Sequence, residues 1–283
     1  MLKAALIVGG AAVLATGWAA AGVASAQSRL EIRDAVATVV VIPEDRSDVV
    51  VTVNQPASRL PRLMQRVEGD RLILDGHIGR QTNCRSRRGG PAEISGDWGS
   101  VTLDQAPRIT ARVPRNAVVG AGPAVWGEVG RAESTDLSVY GCGDWMVAHV
   151  NGRLEVNVAG SGSVRTGNAA RAEVNIGGSG DVRMRAISGP VTANIGGSGS
   201  VRAEAVDGGP VRARVGGSGD VTVESGRTSE LRAEIGGSGT VSFNGRADRV
   251  NATIAGSGDV HVQSAGSVSR TVVGSGNVTV GSD

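Results

Sequence analysis

The chain has 283 residues, a formal net charge of +2, 44 glycines and an aromatic content of 2%. So small a net charge gives no global electrostatic support for nucleic-acid binding. So few aromatic residues exclude an ordinary globular core built on large rings. The fold therefore has to pack small and β-branched side chains at close range.

Residues 1–26 have the layout of a secretory signal peptide. Lys3 gives a positive start, an apolar small-residue run covers residues 4–20, and "ASA" stands at 24–26. We expect cleavage before Gln27, and a retained membrane helix is the alternative. Because Lys3 is the only lysine among the 29 basic residues, 28 arginines would remain against 27 acids. No cysteine stands directly after the cleavage site, so we expect no lipoprotein anchor, and no later segment is apolar enough to span a bilayer. We expect an exported chain that is periplasmic, outer-membrane-associated or extracellular.

Residues 27–118 are less regular than the rest of the chain. Five stretches are typical of strands, namely 35–42, 48–53, 71–76, 100–104 and 108–114. Prolines and glycines between them mark turns. We expect this segment to form a β-rich cap and the first coils of a longer stack, because the ends of a repeat array expose unpaired strand edges.

The segment 79–90 concentrates four arginines around one cysteine: Arg80, Arg85, Arg87 and Arg88 around Cys84. The chain has one other cysteine, Cys142, and an even count in an exported protein predicts a disulfide between the two. Two separate free thiols are the alternative. The arginines could bind the phosphate of lipopolysaccharide or an acidic polysaccharide, whereas the simpler reading is a solvated loop tethered by the disulfide.

A Gly-Ser-Gly triad, or a close variant, recurs along the second half of the chain. Its first glycine stands at eight positions separated by 18 to 20 residues: Gly141, Gly160, Gly178, Gly197, Gly217, Gly237, Gly256 and Gly274. Self-similarity at a short fixed period predicts a solenoid. Apolar and polar residues alternate before each triad, as in Val191, Ala193 and Ile195. The sequence therefore predicts an all-β fold, a parallel β-helix with coils of about 19 residues, two half-buried strands and a weaker third side.

A second alternating segment follows each triad and is expected to supply the other half of the interior. Its first inward position is valine after seven of the eight triads, and its second inward position varies in size. The first set is Val164, Val182, Val201, Val221, Val241, Val260 and Val278; the second is Met184, Ala203, Val223, Phe243, Val262 and Val280.

The triad glycines are predicted to turn the corner between the two strands. A side chain there would collide with its own copy about 4.8 Å away on the next coil, and glycine also reaches the positive φ that sharp corners often need. The predicted corner glycines are Gly160, Gly162, Gly178, Gly180, Gly197, Gly199, Gly217, Gly219, Gly237, Gly239, Gly256, Gly258, Gly274 and Gly276.

The residue after each triad is an aspartate on every second coil. The series is Asp144, Ser163, Asp181, Ser200, Asp220, Thr240, Asp259 and Asn277. Carboxylates on adjacent strands would repel each other, whereas an intervening hydroxyl or amide can donate a hydrogen bond to each neighbour. We expect a hydrogen-bonded stripe that needs no metal.

Catalytic and metal-binding motifs are poorly matched. "GGSGD" lacks the G-x-S-x-G spacing of a nucleophile elbow, and a phosphate loop needs a lysine. The three histidines, His77, His149 and His261, are far apart in sequence. The calcium-binding β-roll places its aspartate one position later, at a nine-residue period. We therefore predict no catalytic residue, no cofactor and no metal.

The recurring "IGGSGDV" and "IGGSGSV" units resemble those of the head GIN domain family, the head of auto-transporter adhesins, over roughly residues 120–280. The resemblance implies a right-handed β-helix-like solenoid on an exported bacterial protein. It brings no established catalytic residues to this chain.

We interpret the chain as a signal peptide (1–26), a β-rich cap with the first coils (27–118) and a repeat β-helix (119–283). The predicted function is a non-enzymatic structural or surface-interaction module of the bacterial envelope. Its partners would be an envelope glycan, lipopolysaccharide or another surface protein, with no nucleic acid. A polysaccharide-active enzyme on the same scaffold is the alternative, and its paired carboxylates would lie about 5–9.5 Å apart. A ligand-binding cap centred on the arginine-rich loop is a third reading.

Overall fold

The computed structural model describes residues 27–79, 82–85 and 92–281, so the predicted signal peptide lies outside the described residues. Nine strands and one 3-10 turn (Leu103–Gln105) precede the regular coils. These strands are β1 (Arg29–Arg33), β2 (Val36–Glu44), β3 (Val50–Asn54), β4 (Met64–Glu68), β5 (Arg71–Asp75), β6 (Asn83–Arg85), β7 (Glu93–Gly96), β8 (Gly99–Thr102) and β9 (Arg108–Pro114).

The remaining strands run to the end of the described chain. They are β10 (Asn116–Ala121), β11 (Ala124–Val129), β12 (Ser134–Val139), β13 (Asp144–Val147), β14 (Val150–Val158), β15 (Ser163–Thr166), β16 (Ala169–Ile176), β17 (Asp181–Ile187), β18 (Val191–Ile195), β19 (Ser200–Gly208), β20 (Val211–Val215), β21 (Asp220–Val223), β22 (Gly226–Thr228), β23 (Leu231–Ile235), β24 (Thr240–Gly256), β25 (Asp259–Gly274) and β26 (Asn277–Val280).

Each regular coil contributes one strand to each of two parallel sheets. The strand before the triad lies in what we term the first sheet, the strand after it lies in the second sheet, and a short third side returns to the next coil. Adjacent coils are in register, so Val191 lies opposite Val211 and Val201 lies opposite Val221. The result is a parallel β-solenoid of about 9 turns with ~19-residue coils. The predicted fold class is confirmed.

The N-terminal strands stack in an order that differs from their order along the chain. β1 lies between β5 and β10 in the first sheet, and β2 lies between β9 and β11 in the second, all in parallel. β3 and β4 pair antiparallel with β9 and β5, so they cover the outer edges of both sheets at this end. The sequence pattern indicated five of the strands before β10 and missed β1, β4, β6 and β7.

One continuous core of small and β-branched side chains runs between the two sheets. The alternating residues predicted to face inward are buried, including Phe243 at 0% exposure. Val280 is the exception at 43%, because it lies on β26 and no described strand stacks on that strand. Trp145, which the repeat pattern did not identify, is also in the core at 1% exposure. Gly127 on the neighbouring strand makes room for it, since a Cβ there would lie 2.7 Å from the indole ring.

The predicted disulfide is present and joins Cys84 on β6 to Cys142, just before β13. Strands β6, β7 and β8 form a separate antiparallel sheet that packs on the outside of the stack. A second small cluster of buried side chains lies beneath it, with Trp98, Trp126 and both cysteines half-buried against that cluster. The disulfide therefore attaches an excursion of the chain to the side of the solenoid.

The corner glycines have too little space for a side chain. A Cβ on Gly197 would lie 2.1 Å from the carbonyl oxygen of Gly178, and a Cβ on Gly178 would lie 2.3 Å from that of Gly160. Among the fourteen predicted corner glycines, only Gly256 and Gly274 have a positive φ. At the other twelve, close approach of successive coils, and not backbone conformation, is what requires glycine.

Candidate interaction surface

The outer face of the second sheet carries side chains in columns that run parallel to the solenoid axis. Side chains of a strand alternate between the two faces, and the in-register stacking places equivalent residues one above another. The column nearest the corner consists of the residue that follows each triad, one residue per coil. We call it the aspartate column. The next column outward contains Met146, Arg165, Arg183 and Arg202 on four successive coils.

The aspartate column is hydrogen-bonded in pairs. Ser163 Oγ donates to Asp144 Oδ1 at 2.6 Å, and Ser200 Oγ donates to Asp181 Oδ1. The backbone N–H of Thr240 donates to Asp220 Oδ1 at 3.0 Å, and that of Asn277 donates to Asp259 Oδ1 at 2.9 Å. Each aspartate thus accepts a hydrogen bond from the following coil. The continuous stripe, in which each hydroxyl donates to both neighbours, was a wrong expectation because a hydroxyl has one proton to donate.

The residues Arg165, Arg183 and Arg202, which we call the arginine column, are all exposed. Arg202 lies 3.5 Å from Glu224, and the nearby Arg185 lies 3.7 Å from Glu204. Arg165 and Arg183 have no carboxylate within ion-pair distance among the described residues. Two of the three arginines in the column, Arg165 and Arg183, therefore present positive charge without an ion-pair partner in the described part of the fold.

The arginine column borders a groove of about 470 Å³ on the second sheet. A depression of about 540 Å³ continues it toward the N-terminal coils and shares Met146 and Val147 with it. We call the two together the second-sheet groove. Its apolar part is formed by Val40, Ile42, Pro43 and Met146. Charged side chains border this part and line the rest, namely Arg115, Glu128, Arg131, Arg165, Arg183, Arg185, Arg202, Glu204 and Glu224.

The outer face of the first sheet carries a different set of columns. Asn194 Nδ2 donates to Asn175 Oδ1 at 2.8 Å, and Asn175 Nδ2 donates to Asn157 Oδ1 at 2.9 Å. These hydrogen bonds satisfy half-buried amide groups on successive coils. The asparagines on this face therefore have a structural role. The sequence pattern does not distinguish these asparagines, because a polar residue at an outward position is ordinary in a half-buried strand.

Three carboxylates follow one another in the neighbouring column of the first sheet: Asp136, Glu155 and Glu173. Arg153 Nη2 lies 2.7 Å from Glu155 and 2.8 Å from Glu173. Burial raises the pKa of Asp136, and repulsion from Glu155 adds to the rise. A small depression of about 190 Å³ contains Asp136 beside the exposed ring of Tyr140.

Chemically reactive side chains are otherwise dispersed. Among residues 27–79, 82–85 and 92–281, no group of three or more His, Cys, Asp or Glu is placed to hold a metal ion. His77 lies 3.3 Å from Asp75, and the structure does not bring His149 or His261 to the same place. The predicted anion-binding patch is described only at Arg85, which is exposed on β6; Arg80, Arg87 and Arg88 lie outside the described residues.

Sequence reasoning missed the second-sheet groove, although a signal for it exists. Three successive repeats read "SVRT", "DVRM" and "SVRA" after the triad, so the same outward position is arginine each time. Alignment of the repeats reveals this column. The arginines of segment 79–90, by contrast, stand out only because they are close together in the sequence.

Comparison with known proteins places the repeats in one family. The family model described as "Putative auto-transporter adhesin, head GIN domain" matches residues 107–223 and again residues 172–283. The two matches overlap because successive coils are alike, and together they cover more than half of the chain. No curated protein matches the chain. Within the described ranges, no helix has the length and apolarity that crossing a bilayer would require. With the family model matched over the regular coils that the structure shows, this chain belongs to the head GIN domain family.

Proposed function

We propose that this protein is an exported, non-enzymatic surface-interaction module of the bacterial cell envelope and that it binds its partner in the second-sheet groove. The observation that carries the proposal is the groove itself, which continues across coils from β2 to β19 on one face, with Glu224 at its far end. Membership of an adhesin-like family and the β-solenoid fold are consistent with this role. An envelope glycan, lipopolysaccharide or a surface protein would be the partner.

The apolar part of the groove supports binding in this place. Two large apolar side chains face solvent here, since Met146 is 60% exposed and Val40 is 40% exposed. Large apolar side chains grouped on a surface with a polar border are typical of interaction sites. The groove combines arginine with methionine, and both residue types are enriched at protein interfaces in general.

Two observations support export. The layout of residues 1–26 is that of a signal peptide, and the Cys84–Cys142 disulfide is compatible with an oxidising compartment. Fractionation of cells that express the full chain, with a blot of periplasm, outer membrane and medium, tests this part of the proposal. Retention of an uncleaved chain in the cytoplasm would contradict it.

A binding array of envelope glycans, lipopolysaccharides and outer-membrane proteins tests the function. The wild-type chain from residue 27 onward should bind one class, and Met146→Glu should lose most of that binding because it places a carboxylate on the apolar part of the groove. Thr279→Glu is the matched control, since Thr279 occupies the same column near the C-terminal end and is exposed. An empty array, or equal loss in both variants, would leave only a structural role.

The alternative function, polysaccharide cleavage, is favoured by one observation. Asp136 has a raised pKa, lies one coil from Glu155 and borders a depression with Tyr140. A carboxyl group with a raised pKa beside a second carboxylate is the arrangement that glycoside hydrolysis uses. Release of reducing ends from a panel of polysaccharides, abolished by both Asp136→Asn and Glu155→Gln, would establish the enzyme and displace the binding module.

A further inference from the structure

We propose that the arginine column binds the carboxylates of a linear acidic polysaccharide that lies along the solenoid axis. The inference rests on the proposed function and names the ligand class for the second-sheet groove. Arg165, Arg183 and Arg202 lie on three successive strands, β15, β17 and β19, in direct register. Neighbouring strands are about 4.8 Å apart, so the column is a row of guanidinium groups with a regular, short repeat.

Three like charges in direct register disfavour the fold on their own. Side chains directly opposite on adjacent strands interact, and like charges in that arrangement are destabilising. The structure shows how the chain relieves such a contact elsewhere. On the first sheet Arg232 lies directly opposite Arg212, and its Nε lies 2.6 Å from a carboxylate oxygen of Glu234. Arg165 and Arg183 have no such carboxylate among the described residues, which indicates that an external anion completes the arrangement.

The nearest acidic column does not serve this purpose. Asp144 and Asp181 lie on the same face as Arg165 and Arg183, but their Oδ1 atoms accept hydrogen bonds from Ser163 and Ser200. The ion pairs at the other side of the column, Arg202 with Glu224 and Arg185 with Glu204, join exposed side chains at 3.5 and 3.7 Å. Pairs of that kind contribute little, so a ligand can replace them at small cost.

The chemistry of the groove selects a carboxylated chain. Guanidinium presents a planar fork that matches a carboxylate in bidentate fashion, and the column offers that fork on each successive coil. Gly167 and Met146 lie beside the arginines and provide room and an apolar contact for sugar rings. Single-stranded nucleic acid would require aromatic platforms for its bases, and none of the side chains that border the groove is aromatic.

Oligomers of α-1,4-galacturonate are the probe for this site, and the same oligomers with their carboxyls methyl-esterified are the neutral comparison. Titration calorimetry with the chain from residue 27 onward should show binding of the acid form and little binding of the ester. Arg165→Gln with Arg183→Gln should weaken binding by about tenfold for each arginine removed, because each loses a charge-assisted contact. Rising salt should weaken binding of the wild type more steeply than that of this variant.

The matched control is Arg212→Gln with Arg227→Gln. Both residues are exposed on strands outside the groove, and neither has an ion pair among the described residues, so the net charge falls by the same amount. Equal loss of binding in test and control variants would overturn the site and leave only a general charge effect. Arg165→Lys with Arg183→Lys retains the charge but not the fork, and full affinity in that variant would also contradict the proposal.

Two further probes distinguish a polysaccharide carboxylate from other anions. Phosphatidylglycerol vesicles test a lipid phosphate surface, and a thymidine oligonucleotide tests a nucleic acid; binding of either as tightly as galacturonate would overturn the assignment of ligand class. Failure of this inference differs from failure of the proposed function. If galacturonate does not bind but the envelope array gives a Met146→Glu-sensitive partner, the ligand class is wrong and the interaction module stands.

Discussion

At Gly199 the backbone of one coil lies so close to the previous coil that even a methyl group does not fit. A Cβ there would lie 2.3 Å from the carbonyl oxygen of Gly180 and 2.8 Å from Cγ2 of Ile176. We expect Gly199→Ala to destabilise the fold by about 1–3 kcal/mol through overpacking. Gly196→Ala is the matched control, since its Cβ would meet nothing closer than 3.8 Å. Equal denaturation midpoints for the two variants would contradict the close-approach explanation.

The fold disfavours the charged form of Asp136. Burial raises its pKa, Glu155 adds to the rise, and Arg29 and Arg153 oppose it. An acid whose pKa is higher in the folded state binds its proton more tightly there, so stability falls as the pH rises from the unfolded pKa through the folded one. Asp136→Asn should therefore raise the melting temperature at neutral pH. At about pH 3, below the ordinary aspartate pKa of about 3.9, the gain should vanish.

Thermal unfolding across this pH range checks the expectation for Asp136. The exposed Asp207, on β19, gives the control Asp207→Asn, which should change the melting temperature little at either pH. A gain for Asp136→Asn that is the same at both ends of the range would show that the charge of Asp136 is not its cause.

The strands of the second sheet depend on one inward valine per coil. Val221 is 2% exposed and lies opposite Val201 and Val241 in register. Val221→Asp buries an unpaired carboxylate, and we expect a loss of about 4 kcal/mol or more. Thr222→Asp, one position along and facing outward, should be tolerated. Unchanged circular dichroism melting for Val221→Asp would mean that the register of β21 is wrong.

The β6–β8 sheet is attached to the stack by its disulfide and a small apolar cluster. The disulfide closes a separation of 58 residues, for which loop-closure entropy gives a stabilisation of about 4 kcal/mol. Replacing Cys84 and Cys142 by serine should lower the urea midpoint accordingly. Wild type in reductant should match the double variant, and a midpoint unaffected by either change would show that this segment contributes nothing to global unfolding.

The regular coils could be predicted from the sequence because one repeated triad fixes both the period and the inward face. Trp145 lies at the inward position that valine fills in the later coils, but the pattern does not show that Gly127 of the preceding coil makes room for an indole there. The order of β1 and β2 in the stack was also beyond the pattern, because parallel strands pair without a sequence signal for their neighbours. The second-sheet groove could be predicted in part. Its arginines recur at one position of the repeat, but side-chain geometry decides which of them have no ion-pair partner among the described residues.

For the whole molecule, we expect stability without metal. Asp181 and Asp220 are two coils apart with Ser200 between them, a separation of about 9.6 Å. One calcium ion binds oxygens at about 2.3–2.6 Å, so these carboxylates cannot share an ion directly. The melting temperature should be the same in excess chelator and in millimolar calcium, with magnesium as the control cation. A rise of many degrees with calcium alone would revive a β-roll type of site.

The insertion of β1 between β5 and β10 has a consequence for how the chain acquires its shape. Regular coils pair with neighbours about 19 residues away, so they can form one after another with small loop-closure costs. Arg29, by contrast, pairs with Arg71 and Val118, and β1 gains its second neighbour only when the chain beyond residue 118 is available. Contacts of such long sequence separation form slowly. Until β10 is in place, one edge of β1 lacks its partner strand and is free to pair with other chains.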